Sequence, residues 1–125
     1  MGEHFHIEKY FNDHFFINAT LLQLEKDFSE CGLQIEFQNR NYQGIDELIQ
    51  HIAPALENIM TKNFSSYLNL LYRIDLPESR IRKETGLRSN EPLNFIIAEL
   101  IIKRELQKVV IKEMYIISVY LLILP

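Results

Sequence analysis

The sequence predicts an all-α protein, a single-domain bundle of five or six helices. Apolar side chains recur every three or four residues over most of the 125 positions. Glycine, asparagine and proline fall between these stretches, where helices are expected to stop or start. No repeat or low-complexity linker divides the chain, which is long enough to bury one core. We therefore expect a bundle domain over residues 1–113, with 1–17 as a candidate separate helix, and an apolar tail over 114–125.

The first third of the chain predicts two helices and a short extended segment. Helical spacing over residues 5–16 predicts a short amphipathic helix that ends at Asn18. A second helix is expected over 19–31, because Gly32 offers a left-handed stop and is followed by an apolar residue. Alternating apolar and polar residues over 33–38 predict at most one short extended segment.

The middle of the chain predicts two further helices. Apolar residues over 45–60 stay in phase through Pro54, although a proline inside a helix costs about 3 kcal/mol. We expect a kink there, or a broken pair of helices with a shared face. Asn63 is a stop signal, and Ser65 or Ser66 is expected to cap the helix that follows.

A corner between helices is predicted where the sequence reads Asp-Leu-Pro-Glu. Asp75 can accept from first-turn amides, Pro77 suits an early helical position, and Glu78 suits a capping box. A short helix is expected from this corner to Gly86.

The last helix is expected to open near Pro92 and to continue to about Glu113, with Glu99 and Lys103 paired one turn apart. An unbroken helix over residues 91–124 would span about 50 Å. A globule of this size is only about 30 Å across. The helix must therefore break, project from the body or hand over to another structure, and the β-branched residues near its end favour a strand locally.

Residues 115–125 carry no charge and form the most unusual feature of the chain. The bundle, a second copy, another protein or a bilayer has to cover them, and an out-of-frame end after about Lys112 is a further alternative. A membrane span needs about 20 apolar residues, and Lys112 and Glu113 interrupt any extension backwards. We expect burial on the bundle or in a homodimer. The predicted apolar interface consists of Tyr115, Ile116, Val119, Tyr120, Leu122 and Ile123.

Charge is distributed unevenly along the chain. Residues 1–60 hold ten acidic and three basic side chains, whereas 61–125 hold seven and ten, for a net charge of −4. The basic residues of the second half, centred on Arg80, Arg82, Lys83 and Arg88, have no aromatic residue interleaved. The pattern therefore favours acidic and basic faces that attract each other within the fold, and argues against nucleic-acid binding.

The sequence contains no pattern that indicates catalysis, a cofactor or a metal site. The one cysteine, Cys31, is expected at a helix C-terminus, where the dipole does not activate a thiol. Histidines near the N-terminus have no known ligand spacing. A single cysteine and no visible secretory signal predict a cytoplasmic protein.

The densest mixture of polar and apolar residues is a candidate interaction site or polar corner formed by Tyr72, Arg73, Asp75 and Glu78. Such a corner is first of all a structural hinge, because polar contacts satisfy the free backbone groups of helix ends. The alternative is an anion or partner site that uses Arg73.

At this corner the chain resembles small uncharacterised bacterial all-helical proteins. The resemblance is carried by Leu-Leu-Tyr-Arg-Ile-Asp, residues 70–75, and by Arg-Glu-Leu-Gln-Lys, residues 104–108. It covers about residues 19–110, implies a helical fold, brings no known activity and leaves the apolar tail unmatched.

These observations predict a non-catalytic interaction module or small subunit, with itself or another protein as partner. The alternative is a membrane-peripheral protein that uses the tail together with nearby basic residues, which are Lys103, Arg104, Lys108 and Lys112. A third, less favoured hypothesis is an enzyme, which would require a pocket lined by Arg73, Asp75 and other polar groups.

Overall fold

The structure is a computed structural model that describes residues 6–37 and 41–124. Over these residues the protein is all-helical and contains no strand, which confirms the predicted fold class. A 3₁₀ turn (Glu8–Tyr10) precedes five helices. These are α1 (His14–Glu30), α2 (Ile45–Lys62), α3 (Phe64–Ile74), α4 (Glu78–Leu87) and α5 (Leu93–Ile123).

Helix α5 is the central element of the bundle, since it contacts each of the other four helices and packs most extensively against α2 and α1. Its first five turns are buried on the faces that meet these neighbours. The core between them is made of large aliphatic and aromatic side chains. Among the fully buried ones are Leu24, Phe28, Leu48, Ile52, Leu56, Leu70, Ile74, Ile97 and Ile101.

The first helix differs from the prediction. Residues 14–30 form one helix, so Asn18 lies inside it. Over residues 6–12 only the 3₁₀ turn is helical, and residues 1–5 of the predicted N-terminal helix lie outside the described part of the chain. The Asp13 carboxylate accepts from the Phe16 amide at 3.2 Å and caps α1. At the other end Gly32 has a φ of +75° and the Leu33 amide donates to the Phe28 carbonyl, which confirms the predicted stop.

The segment expected to be extended, residues 33–38, forms no strand over 33–37, and residue 38 lies outside the described part of the chain. A lone extended segment has no ladder partner in a helical bundle. Leu33 and Phe37 are nevertheless buried, so the alternation reflects contact with the core.

The middle helices follow the predicted order with different ends. Helix α2 runs through Pro54 as one element, so the broken pair is excluded, and its buried residues share one face as predicted. Asn63 ends α2 and also precedes α3. Ser65 and Ser66 lie inside α3, and therefore do not cap it.

The corner after α3 is also built differently from the prediction. Asp75 ends α3 in a left-handed conformation, and Pro77 precedes α4 without a side-chain cap. Helix α4 continues past Gly86 and stops at Leu87.

Helix α5 has 31 residues and is therefore about 46 Å long. The strand alternative for the tail is wrong, because residues up to Ile123 are helical. Once α5 is nucleated in the bundle, each added residue gains a hydrogen bond, whereas a lone strand gains none.

Candidate functional site

The last three turns of α5 project from the bundle. Val110 is the last buried residue of this helix, and residues 114–124 are all exposed. We call residues 114–124 the apolar extension. The expectation that it docks on its own bundle is wrong, because its side chains are exposed instead of packed against the described part of the bundle. All six predicted interface residues are exposed: Tyr115, Ile116, Val119, Tyr120, Leu122 and Ile123.

The apolar extension has no polar side. Ser118 is its only aliphatic hydroxyl, and the Ser118 Oγ donates to the Met114 carbonyl at 2.9 Å, so this group is satisfied within the helix. Every other residue from 114 to 124 is a large apolar or aromatic side chain. A helix that is apolar on all sides is normally covered on all sides.

The exposed area of the extension is large for a single chain. Ten large side chains between residues 114 and 124 are exposed, from 41% for Val119 to 84% for Leu122. Together they present on the order of 1,000 Å² of mainly apolar surface. The largest apolar patch of a typical monomer is about 300–600 Å². The extension therefore exceeds what a soluble monomer ordinarily exposes.

The four residues of the predicted polar corner do not form one site. Arg73 turns toward α1, where its Nε donates to Asp27 Oδ1 at 2.8 Å and its Nη1 lies 3.9 Å from Glu30. Tyr72, one residue earlier, points away and is 89% exposed. Consecutive helical residues are about 100° apart, so neighbours in sequence face different surroundings.

Asp75 makes its contact on α5 instead. Asp75 Oδ2 accepts from Arg104 at 3.2 Å, and the Arg104 Nε also donates to the Ile74 carbonyl, so one arginine ties the end of α3 to α5. Glu78 is exposed on α4. The burial of Tyr67, and to a smaller extent the negative charge of Glu78, raises the pKa of Tyr67 to about 12. These contacts fit the hinge interpretation better than an anion site.

An open cleft of about 620 Å³ lies beside this hinge, between the 3₁₀ turn, the start of α4 and α5. Its basic side chains include Arg80, Lys103 and Arg104. Lys103 donates to Glu99 and Arg104 to Asp75, so carboxylates already offset two of the three charges. Among the described residues that line the cleft, no nucleophile lies beside a base.

Arg88 links α4 to α5, a role that the sequence pattern did not reveal. Its guanidinium donates to both oxygens of Glu91, at 2.9 and 2.7 Å, and to both oxygens of Glu99, at 3.1 and 3.0 Å. Lys103 also donates to Glu99 at 2.9 Å, which confirms that predicted pair. Arg88 is therefore committed to contacts within the fold.

Two buried carboxyl groups, Asp27 and Glu105, meet where α1 packs on α5. Asp27 is 2% exposed and Glu105 is fully buried. Glu105 occupies a core position of α5, one turn after Ile101 and one turn before Val109. This spacing in the sequence is the feature from which its burial could have been predicted. The pairing itself could not be predicted, because the two acids are far apart in the chain.

The two carboxyl groups have opposite surroundings. Burial favours the neutral form of Asp27, but the Glu105 carboxyl group beside it and the hydrogen bonds from Gln23 and Arg73 hold its pKa below the ordinary value. Burial, and then the neighbouring Asp27, raises the pKa of Glu105 to about 9. At neutral pH the pair therefore carries one proton and one negative charge.

Comparison with known proteins adds no family: no protein-family model, curated protein or solved structure matches the chain. Within residues 6–37 and 41–124, no helix is long and apolar enough to cross a membrane. The same residues contain no group of three histidine, cysteine, aspartate or glutamate side chains that could hold a metal ion.

Proposed function

We propose that this protein is a non-catalytic interaction module that associates with a second copy of itself through the apolar extension of α5. The observation that carries the proposal is that residues 114–124, which are helical up to Ile123, carry no charge and are not covered by the described part of their own bundle. Burial of such surface is the main favourable contribution to association. The body of the protein supplies the fold that presents this helix.

The area of the extension supports a second copy as partner. A stable interface buries about 800 Å² on each side, and the extension offers on the order of 1,000 Å². A surface without charges requires an apolar partner of similar length, and a second extension is one. A two-fold pairing would bury one side of each extension against the other.

Two lysines on one side of the extension test this proposal. Ile116 and Tyr120 lie one turn apart, so Ile116→Lys with Tyr120→Lys places two charges on the same face. We expect the molar mass in light scattering to fall to that of a monomer at every concentration. The control is Leu22→Lys, since Leu22 is 58% exposed on α1 and outside the extension.

The control protein should keep the mass of the unmodified chain. An unmodified chain that is monomeric up to millimolar concentration would contradict the proposal, as would a double-lysine variant with unchanged mass. Circular dichroism of each variant shows whether the bundle is intact, so loss of association can be separated from loss of folding.

A membrane-peripheral role is the second candidate, favoured by the apolar character of the extension on every side. A bilayer covers all sides of a helix at once, whereas a partner helix covers one. Lys108 and Lys112 lie just before the extension and could attract anionic headgroups. If the protein is membrane-peripheral, we expect the full chain to co-sediment with anionic vesicles and a chain that ends at Glu113 to stay in solution. Failure of the full chain to co-sediment eliminates it.

The compartment that we propose for either role is the cytoplasm. The support is the single cysteine, Cys31, which is half-buried and in no disulfide. Burial raises the pKa of its thiol, so Cys31 is a poor nucleophile at neutral pH. A disulfide-free protein of this kind suits a reducing compartment.

A further inference from the structure

We propose that Asp27 and Glu105 hold one proton between them inside the bundle, and that loss of this proton weakens the contact between α1 and α5. The pair is thus a pH-sensitive device in the core. It rests on the fold alone and does not depend on what covers the apolar extension.

The geometry assigns a different state to each carboxyl group. Asp27 accepts from Arg73 Nε at 2.8 Å and from Gln23 Nε2 at 3.1 Å, so its two oxygens have the donors that an ionised carboxylate needs. Among the described residues, neither oxygen of Glu105 has a donor, and the nearest cation, Lys108 Nζ, is 3.7 Å from Oε1. Glu105 is therefore the acid that keeps a proton, which it can donate to Asp27.

The charged groups around Asp27 and Glu105 stabilise one negative charge, on Asp27, but stabilise a second one, on Glu105, poorly. Helix α1 contributes Asp27 itself, with Glu30 beyond Arg73; α3 contributes Arg73, and α5 contributes Lys108. Among the described residues, α2 and α4 supply no charged side chain that acts on either carboxyl. The Arg73 guanidinium is hydrogen-bonded to Asp27. A negative charge on Glu105 would therefore have only the partly exposed Lys108 as a nearby cation among the described residues.

The sign of the pH effect follows from the two carboxyl groups. Burial raises the pKa of Glu105 from 4.5 to about 9, so between these values the folded state binds a proton that the unfolded state releases. The unfolding equilibrium constant then rises with pH, by up to about tenfold per unit. Asp27 has a lowered pKa and acts oppositely, because its stabilisation is lost as pH falls below its ordinary 3.8. The protein should be most stable in mildly acidic solution.

Replacement of Glu105 by glutamine tests the proposal in the full chain. Gln has the same shape, its amide can donate to Asp27, and it has no proton to lose. We expect the unfolding constant of the wild type to rise at least about tenfold between pH 5 and 8, and that of Glu105→Gln to change much less. The control is Glu57→Gln, an exposed carboxyl on α2, which should follow the wild type.

A titration of the wild-type carboxyl groups by ¹³C NMR provides a measurement that does not require the variant to fold. One glutamate, assigned to position 105, should titrate above pH 7, and the protection factors of amides in α1 and α5, that is, exchange relative to an unfolded chain at the same pH, should fall as it does so. An ordinary titration of Glu105 near pH 4.5 would overturn the proposal. Parallel stability profiles for the wild type and Glu105→Gln would do the same.

Discussion

At the scale of single residues, Asp75 shows how one position can combine a backbone role with a charge contact. It has a φ of 62° and a ψ of 52°, the left-handed conformation that ends α3. The Leu76 amide donates to the Leu71 carbonyl across this turn at 2.9 Å. The Asp75 side chain is 85% exposed, so its pair with Arg104 contributes little to stability.

Substitutions at Asp75 separate the two roles. Asp75→Ala should lower the free energy of unfolding by about 1 kcal/mol, because alanine is strained in the left-handed region. Asp75→Gly also removes the charge but tolerates this conformation, so it should stay within about 0.5 kcal/mol of the wild type. Unfolding in urea measures the free energy of unfolding of both variants. Equal losses in the two variants would show that the contact with Arg104 dominates.

Residue patterns in the sequence showed which segments are unusual but not where their side chains lie. The lack of charge in the tail is visible in the sequence, whereas the exposure of its six candidate interface residues is seen only in the structure. The polar corner was predicted as one cluster because its members are neighbours in the chain. Helical rotation directs Arg73 to α1, while Asp75 contacts α5, and only the packed structure shows this.

At the scale of elements, the junction of α4 and α5 depends on Arg88. This residue follows the last turn of α4, and its side chain is 21% exposed between Glu91 and Glu99. The hydrogen bonds to both carboxylates are charge-assisted, and each carboxylate is contacted through two oxygens. A planar guanidinium can do this and an ammonium group cannot.

Loss of the Arg88 side chain should therefore be costly. We expect Arg88→Ala to lower the free energy of unfolding by about 1–3 kcal/mol, with Arg88→Lys restoring only part of it. Arg82→Ala is the matched control, because Arg82 is exposed on the same helix, and should change stability by less than about 0.5 kcal/mol. Chemical denaturation gives all three values. An Arg88→Ala protein as stable as the control would contradict the assigned role.

Helix ends were predicted well where the signal is local and poorly where packing decides. Gly32 and Asn63 stop their helices as expected, since backbone conformation and capping act within a few residues. Asn18 does not interrupt α1, because the apolar face of that helix, which includes Ile17 and Leu21, is held by the core. The helical state of the extension likewise follows from continuity with the packed part of α5.

At the scale of the whole molecule, the protein is a compact bundle from which the end of one helix projects. Helix α5 is about 46 Å long, whereas a globule of this size is about 30 Å across. The sequence predicted this mismatch but left three outcomes open, and projection is the one found. We propose that the projecting, charge-free end is the association surface of the protein.

The most direct test of this claim is the molar mass, by light scattering over a range of concentrations, of the full chain and of a chain that ends at Glu113. The shortened chain keeps every buried residue of α5, so its bundle should remain helical. We expect a dimer for the full chain and a monomer for the shortened one. Monomers in both cases, or the same oligomer in both, would contradict the claim.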